Sequence, residues 1–576
     1  MIKNNLKLVS IFLLAFLTYL SFIKSDVIVS YNILSFIFFL LLVILYRRYL
    51  YKITTYSKIS LILASIFSIL IIFGRTLYAY YNIYNVNVWQ EIFCIRSIIY
   101  LLGLIPLFYI VIHTIVEFLC SYSNKYNEKY NNKLFIVFSM LLMLGVWSIY
   151  LLTYYPGTLS PDSLSEYSMF VNGLHITSDH HPVLHILFMS LFYNLGFKIF
   201  GTANSGVLFV SIAQMIVMAS IFTYSLIFLR KRNCPKILVY ALLAFYSFSS
   251  ITGYYSIVMW KDVLFAGFLL LLTIECYKLF ENKDNLTFKK LISFLIVSLI
   301  TVFLRNNAIY AYFILAIAIL IVLKRWRKQF SIIFAVVFLT FIFVKGPVFK
   351  WCGIQKSSSA EYIGMPLQQV ARVITKGEKL SQKQYDLINE LIPVDVIPIT
   401  YNPVVSDGIK FNKNFNVNMF NDNKFEYLKL YMNVLINHFP TATEAYLIST
   451  LGYWYPNVNY WSVANNIYEN KLDIYTDSKT NDFIKKIIVE GESRSLPLFG
   501  MQWSIGLCVW IISILTVCFV KKYKWVGIIP FLPCIGIWLT MLIASPVWGE
   551  FRYVYGLFTS LPFLIGIFFL KSKTDN

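Results

Sequence analysis

Apolar runs of about 20 residues, the length a helix needs to cross a bilayer, recur along most of the chain. Nothing else in the sequence restricts the fold so strongly. The runs are continuous rather than alternating, and a backbone in lipid must satisfy its own hydrogen bonds. They therefore read as helices, not as barrel strands. Composition agrees: of 576 residues, 58% are hydrophobic and 13% charged, a balance foreign to a soluble domain. The expected fold is an all-α polytopic membrane protein.

Spans are expected near residues 6–23, 27–46, 59–80, 93–119, 134–154, 205–229, 237–255, 263–280, 291–304, 308–323, 329–344, 501–520, 525–544 and 553–570, about fourteen transmembrane helices. The stretch "MIKNNLKLVSIFLLAFLTYL" resembles a signal peptide, but no small-x-small cleavage site follows it, so it reads as a retained first span. With the N-terminus in the cytoplasm, the loops "YRRYLYKITTYSK", "NKYNEKYNNK", "RKRNCPK", "ENKDNLTFKK", "KRWRK" and "KKYK" all fall inside and are rich in Lys or Arg. The outer loops "YYNIYNVNVWQ" and 155–182 contain neither. The net charge of +21 is thus a matter of cytoplasmic loops facing anionic lipid, not of a nucleic-acid partner.

One segment, "VLHILFMSLFYNLGFKIF" (183–200), is apolar enough to span. Counting it as a span would invert every later basic loop, so it is expected to be an interfacial or re-entrant helix. Both termini are then cytoplasmic. The expected division is an N-terminal transmembrane region (1–133), a transmembrane core (134–344) with an acidic outer loop (155–182), an extracytoplasmic domain (345–500) and C-terminal transmembrane helices (501–576).

The domain at 345–500 reads as mostly helical. "SAEYIGMPLQQVARVI", "SQKQYDLINELI" and "NKFEYLKLYMNVLINHF" carry apolar positions at helical spacing, with Ser381 a predicted N-cap and Pro440 ending the third helix. The eight cysteines lie mostly in spans and show no zinc spacing. Only Cys352 falls in the outer domain, so no internal disulfide is expected there.

The unusual polar residues gather at span ends. Asp162 and Glu166 lie in "PGTLSPDSLSEY", and Asp179, His180 and His181 in "SDHHP". Lys261 and Asp262 lie in "VMWKDVLF", Arg305 and Asn306 in "FLRNNAIY", and Glu550 and Arg552 in "WGEFRYVY". The topology puts all of them at the outer face. Four of the chain's six histidines, His175, His180, His181 and His185, sit in "LHITSDHHPVLH". Lys261, Arg305 and Arg552 break the positive-inside trend, and ionisable groups near a bilayer are functional candidates. Structural readings stand beside these. Asp162 after Pro161 suits a helix N-terminus, Ser163 and Glu166 have capping-box spacing, Lys261 can snorkel, and "HHP" can be a turn. The tract "YWYPNVNYW", with Trp454 and Tyr455, is either a sugar-stacking surface or an aromatic belt.

An acidic loop, then a helix opening at a His-Pro motif, then spans joined by short outer loops with Lys or Arg: this order resembles the GT-C superfamily of membrane glycosyltransferases, such as protein O-mannosyltransferases and lipid A aminoarabinose transferases. "SPDS" and "HHPVLH" carry the resemblance, over about 134–344. Across 134–570, "PGTLSPDS", "SDHHP", "KD", "RNN", "LGYWYP" and "EFRY" resemble an uncharacterised family of bacterial multipass proteins. The GT-C resemblance implies a GT-C-like core in a bacterial cell membrane and a polyprenyl-phosphate-linked sugar donor. The acceptor would be a glycan, lipid or protein. It implies Asp162 as general base; in the same reading Lys261, Arg305 and Arg552 face the phosphate, with Asp262, Asn306 and Glu550 beside them. His180 and His181 either donate to the phosphate or, with Asp179, hold a divalent metal, the one cofactor this reading admits. The alternatives are a transporter or flippase for a lipid-linked envelope glycan and a membrane acyltransferase, against which the short His175-x-x-x-Asp179 spacing argues. A flippase should place its ionisable residues near the midplane in broken helices, not at one face.

Overall fold

The computed structural model describes residues 2–23, 33–52, 56–124, 131–491, 499–545 and 547–571. Residues 27–32, the start of the second expected span, lie outside them. In chain order the main helices are α1 (Ile2–Ile23), α2 (Ile33–Lys52), α3 (Lys58–Tyr80), α4 (Ile95–Ser121), α5 (Asn132–Thr153), α6 (Pro161–Ser168), α7 (Val183–Phe200) and α8 (Ala203–Arg230). Then come α9 (Lys236–Phe248), α10 (Ser250–Ile257), α11 (Lys261–Glu281), α12 (Phe288–Leu304), α13 (Ala308–Val322) and α14 (Arg327–Phe343). The polar region carries α15 (Gly364–Thr375), α16 (Gln382–Leu391), α17 (Lys424–Asn437) and α18 (Phe439–Ser449). The chain closes with α19 (Ile505–Tyr523), α20 (Leu532–Ala544) and α21 (Tyr555–Gly566).

The protein is all-helical; among the described residues only isolated β-bridges occur. Nine helices there are long and apolar enough to cross a membrane, or up to ten if the pair α9 and α10, bent by 51°, is one span. That makes a multi-pass membrane protein. The count is below fourteen because α13 has only 15 residues and α12 only 17, α1 counts only as the shorter apolar helix Lys7–Phe22, α2 is not among the nine, α9 and α10 count only as a bent pair, and α19 runs through a 3-10 stretch into α20 as one 40-residue helical segment, while 183–200 adds one. The segment 183–200, expected as interfacial, is one uninterrupted 18-residue helix that meets the same length and hydropathy requirement. Its length and composition therefore do not set it apart from a span.

The chain forms two compact units. The first comprises Met1–Ser121, Tyr362–Val458 and Ser545–Gly549; the second comprises Tyr122–Glu361, Asn459–Ala544 and Glu550–Asn576. The stretch 345–500, expected as one domain, is thus divided between them.

In the first unit, α3 packs on α4 and α1 on α4. The polar helices form as their sequences dictate. Ser381 and Gln384 make a reciprocal capping box at the start of α16, satisfying two otherwise orphaned amides. Pro440 does not simply stop α17. It occupies the first turn of α18, where its missing amide costs nothing.

In the second unit, α8, α11 and the 551–569 segment are the most enclosed, with 67%, 78% and 78% of their apolar windows buried. The α7–α8 hairpin closes tightly because Gly206 has no side chain: a Cβ there would sit 2.4 Å from the Tyr193 ring. The broken end of α10 needs partners for its carbonyls, since none is available from lipid. Gln214 on α8 supplies them, donating to Tyr255, Ser256 and Val258 at 3.3, 3.1 and 2.9 Å.

Candidate functional site

The acidic loop is placed by backbone pairing. Gly157 adopts φ +146°, and a Cβ would lie 2.5 Å from Ser211 Oγ on α8, so glycine lets the loop approach that helix. Thr158 then donates to Ile257 O and receives the Met259 amide, both at 3.2 Å. Leu159 pairs the same way with Asn466 and Tyr468. Ser160, not Ser163, is the N-cap of α6, and Pro161 is in the first turn. Glu166 is therefore not part of a capping box. The Trp260 indole donates to Ser160 Oγ at 2.8 Å, and Ser163 Oγ donates to Met259 O at 2.6 Å. These contacts set the N-terminus of α6 beside that of α11.

Asp162 thereby meets Arg552, whose Nη1 donates to Asp162 Oδ2 at 2.7 Å. The Asp162 side chain is 40% exposed and that of Arg552 only 14%. Burial alone would raise the Asp162 carboxyl, but Arg552 and Lys261 outweigh it and hold it down to about 2. Arg552 also lies 3.3 Å from Glu550 through Nε and 5.2 Å from the centroid of the Trp260 ring.

Behind this pair is a chain of buried groups. Lys261 Nζ is 3.2 Å from His181 Nδ1, and an ammonium only donates, so Nδ1 accepts. Burial pushes the His181 imidazole down to about 4, with Lys261 adding to the shift and Glu166 opposing it. His181 Nδ1 also lies 3.3 Å from Glu166 Oε1, and His185 Nδ1 is 2.6 Å from Glu166 Oε2. Burial works against the charge of Glu166, but His185, His181 and Lys261 keep its carboxyl below the ordinary value. His185 Nε2 is buried with no hydrogen-bond partner.

Asp262 and Arg305 form a deeper layer, 1% and 5% exposed. Arg305 Nη1 is 3.5 Å from Asp262 Oδ1 and donates to Tyr553 O at 2.5 Å. Arg305 therefore holds the backbone beside Arg552 and does not itself reach an open surface.

The "SDHHP" segment is split. Asp179 Oδ2 accepts from Lys345 at 3.0 Å, and Oδ1 accepts from the Ser357 amide at 2.7 Å. Asn306 donates to the carbonyls of Asp179 and His180 at 2.8 and 3.1 Å and accepts from Lys345 at 2.8 Å. His180 and His175 are exposed, whereas His181 and His185 are buried. The alternative metal grouping of Asp179, His180 and His181 is not assembled: the Asp179 carboxylate is committed to Lys345 and Ser357. Among the described residues no three His, Cys, Asp or Glu side chains have the arrangement of a metal site. Trp454 and Tyr455, read as either a stacking surface or an aromatic belt, are 6% and 7% exposed in the first unit, packed rather than presented. Trp461, 43% exposed, stands edge-on against Trp260 at 5.6 Å.

The structure thus brings together Asp162, Glu166, His181, His185, Lys261, Asp262, Arg305, Glu550 and Arg552, drawn from five separate segments. Sequence reasoning missed Lys345. It is a lysine at the end of an apolar span, the same signal that singled out Lys261.

Fold and site define a multi-pass helical membrane protein with a partly buried ionic cluster. The chain belongs to a family of unknown function, DUF6020, whose model matches residues 172–576. The match takes in "SDHHP", Lys261, Arg305 and Arg552 but begins after Asp162. No curated protein matches the chain, and no solved structure does.

Proposed function

We propose that the protein is a membrane glycosyltransferase of GT-C type, moving a sugar from a polyprenyl-phosphate donor to an extracytoplasmic acceptor. The observation that carries this reading is the pair Asp162–Arg552, 2.7 Å apart with the carboxylate 40% exposed, next to the Lys261 ammonium. It is a base and two cations at one accessible point. At about 2, Asp162 is too weakly basic to work well, since a general base is best near the operating pH. Donor binding resolves this. The phosphate competes for Arg552 and Lys261, with Arg offering a planar fork for two oxygens. As Arg552 turns to the phosphate, Asp162 loses its main neutralising partner and its proton affinity rises. The acceptor oxygen or nitrogen then bonds to the anomeric carbon as its proton passes to Asp162. The bond from that carbon to the phosphate oxygen breaks, and its electron pair leaves with the polyprenyl phosphate, stabilised by the fixed cations. Glu166, His181 and His185 position Lys261, and Arg305 positions Arg552.

The reading requires both termini in the cytoplasm and the Asp162 face outside. The test is consumption of a lipid-linked sugar by purified Asp162→Asn protein in nanodiscs, beside the unaltered protein. The unaltered protein is expected to release free polyprenyl phosphate and the variant to release none. Movement of an intact donor across the bilayer without release would establish a flippase instead.

A further inference from the structure

The first unit contains a cavity that the transferase reading does not use. It lies between α15, α16 and α17 and has a volume of about 280 Å³, about twice that of an apolar cavity known to accept benzene. Its lining is almost wholly hydrocarbon: Ala371, Ile388, Ile392, Ile397 and Ile409, among others, each no more than 3% exposed. Unfilled apolar volume destabilises a fold, so a folded domain that keeps such a space gains from whatever fills it.

Two polar features narrow the occupant. Tyr427 lines the cavity, is 6% exposed, and its hydroxyl is buried without a hydrogen-bond partner. Buried hydroxyls normally have one. Lys424, exposed, also belongs to the lining, which puts a cation at the mouth.

The source of the occupant follows from α17. Phe425, Leu428, Met432 and Ile436 are 71%, 55%, 45% and 69% exposed at spacings of three and four, so they form one apolar stripe. Leu428 belongs to both the stripe and the cavity wall. The same region is tied to the ends of two candidate spans. The Trp89 indole, in the short link between α3 and α4, donates to Pro440 O at 3.1 Å just beyond α17. Arg372 Nη1 donates to Tyr81 O, at the end of α3, at 2.9 Å. Trp89 stacks on Phe93, itself 69% exposed, as aromatics do at membrane interfaces. An amphipathic helix fixed at that level, with Lys424 and Lys429 flanking the apolar stripe, suits the interface.

We propose that α17 rests in the membrane interface and that the cavity behind it takes up one hydrocarbon chain of an anionic membrane lipid, whose head group pairs with Lys424. The proposal does not depend on the transferase reading.

The test uses the full chain reconstituted in vesicles of zwitterionic lipid doped with photoactivatable probes, each with a diazirine near the chain end. The probes are a fatty acid, a prenyl phosphate and a neutral long-chain alcohol. Peptide mapping reads the labelled residues. At least one anionic probe is expected to label Val370, Ile388 or Leu391, and which of the two does so identifies the source. Ile388→Trp, which fills the space, should remove that label. Lys424→Glu, a surface change that leaves the core intact, should weaken anionic labelling about fivefold and leave the alcohol unaffected, the scale of one partly solvated charge. Labelling confined to the outer stripe of α17 would overturn the cavity. An unchanged signal in Lys424→Glu would overturn the anionic head group.

Discussion

Each unit contains a buried arginine paired with a carboxylate, and the two pairs differ in how completely they are closed. In the first unit Arg372 and Glu444 are 0% and 1% exposed. Arg372 gives Nε and Nη2 to one Glu444 oxygen and Nη1 to Tyr81 O, while Lys376 covers the other oxygen at 2.7 Å. Nothing is left over for a ligand. In the second unit Arg552 makes one hydrogen bond to Asp162, its Nε has only the 3.3 Å ion pair with Glu550 and no hydrogen bond, and the Asp162 side chain is 40% exposed. Removing one partner of a buried pair costs far more than the pair itself contributes. The saturated pair is therefore an anchor, and the unsaturated one is free to exchange partners.

Four measurements bear on that contrast, from the largest effect downward. Asp162→Asn should cut transfer by ~10²–10⁴-fold, the usual worth of a general base, while its unfolding stays within ~1 kcal/mol of the original because Glu550 still compensates Arg552. Normal turnover would remove Asp162 from the reaction. Glu444→Gln should behave in the opposite way, losing ~3–5 kcal/mol of stability because Arg372 is left buried and uncompensated. Equal stability in a detergent melt would mean that the anchor is no anchor. Arg552→Lys keeps a charge and loses the fork, so donor KM should rise by roughly tenfold with little change in folding. An unchanged KM would take the phosphate away from Arg552.

The smallest effect is on pH. His181 is held at about 4 against a usual 6.5, so between those values the unfolded chain binds more protons. Its stabilising effect is full above 6.5 and is lost as pH falls towards 4, with a slope of at most ~1.4 kcal/mol per pH unit. Asp162 and Glu166, both lowered, are stabilising above their unfolded values of 3.8 and 4.5 and lose that effect only below them. His181→Gln should therefore flatten the stability profile between pH 6.5 and 4.5 and leave the more acidic limb in place. A profile that keeps its slope in the variant assigns the titration elsewhere.

The helices were legible because lipid demands long apolar runs. The convergence of Asp162, Lys261, Arg305 and Arg552 was legible because each sits where such a run ends. Pairing was not legible. Nothing local distinguishes Asp179, tied to Lys345, from Asp162, tied to Arg552, because both partners lie far along the chain. Trp454 and Asn306 have the right chemistry for substrate, but packing and backbone contacts absorb them. The role of Glu166 was hidden by Ser163, whose capping-box spacing offered a local explanation that the fold does not use.

The contact between Asp162 and Arg552 joins residues 390 positions apart. Synthesis at the usual rate puts roughly 20–80 s between their appearance. For that interval Asp162 lacks its hydrogen-bonded partner, and Lys261 is the cation of the cluster made first. A ribosome stalled before Arg552 leaves most of the helices made and the Asp162–Arg552 pair unformed.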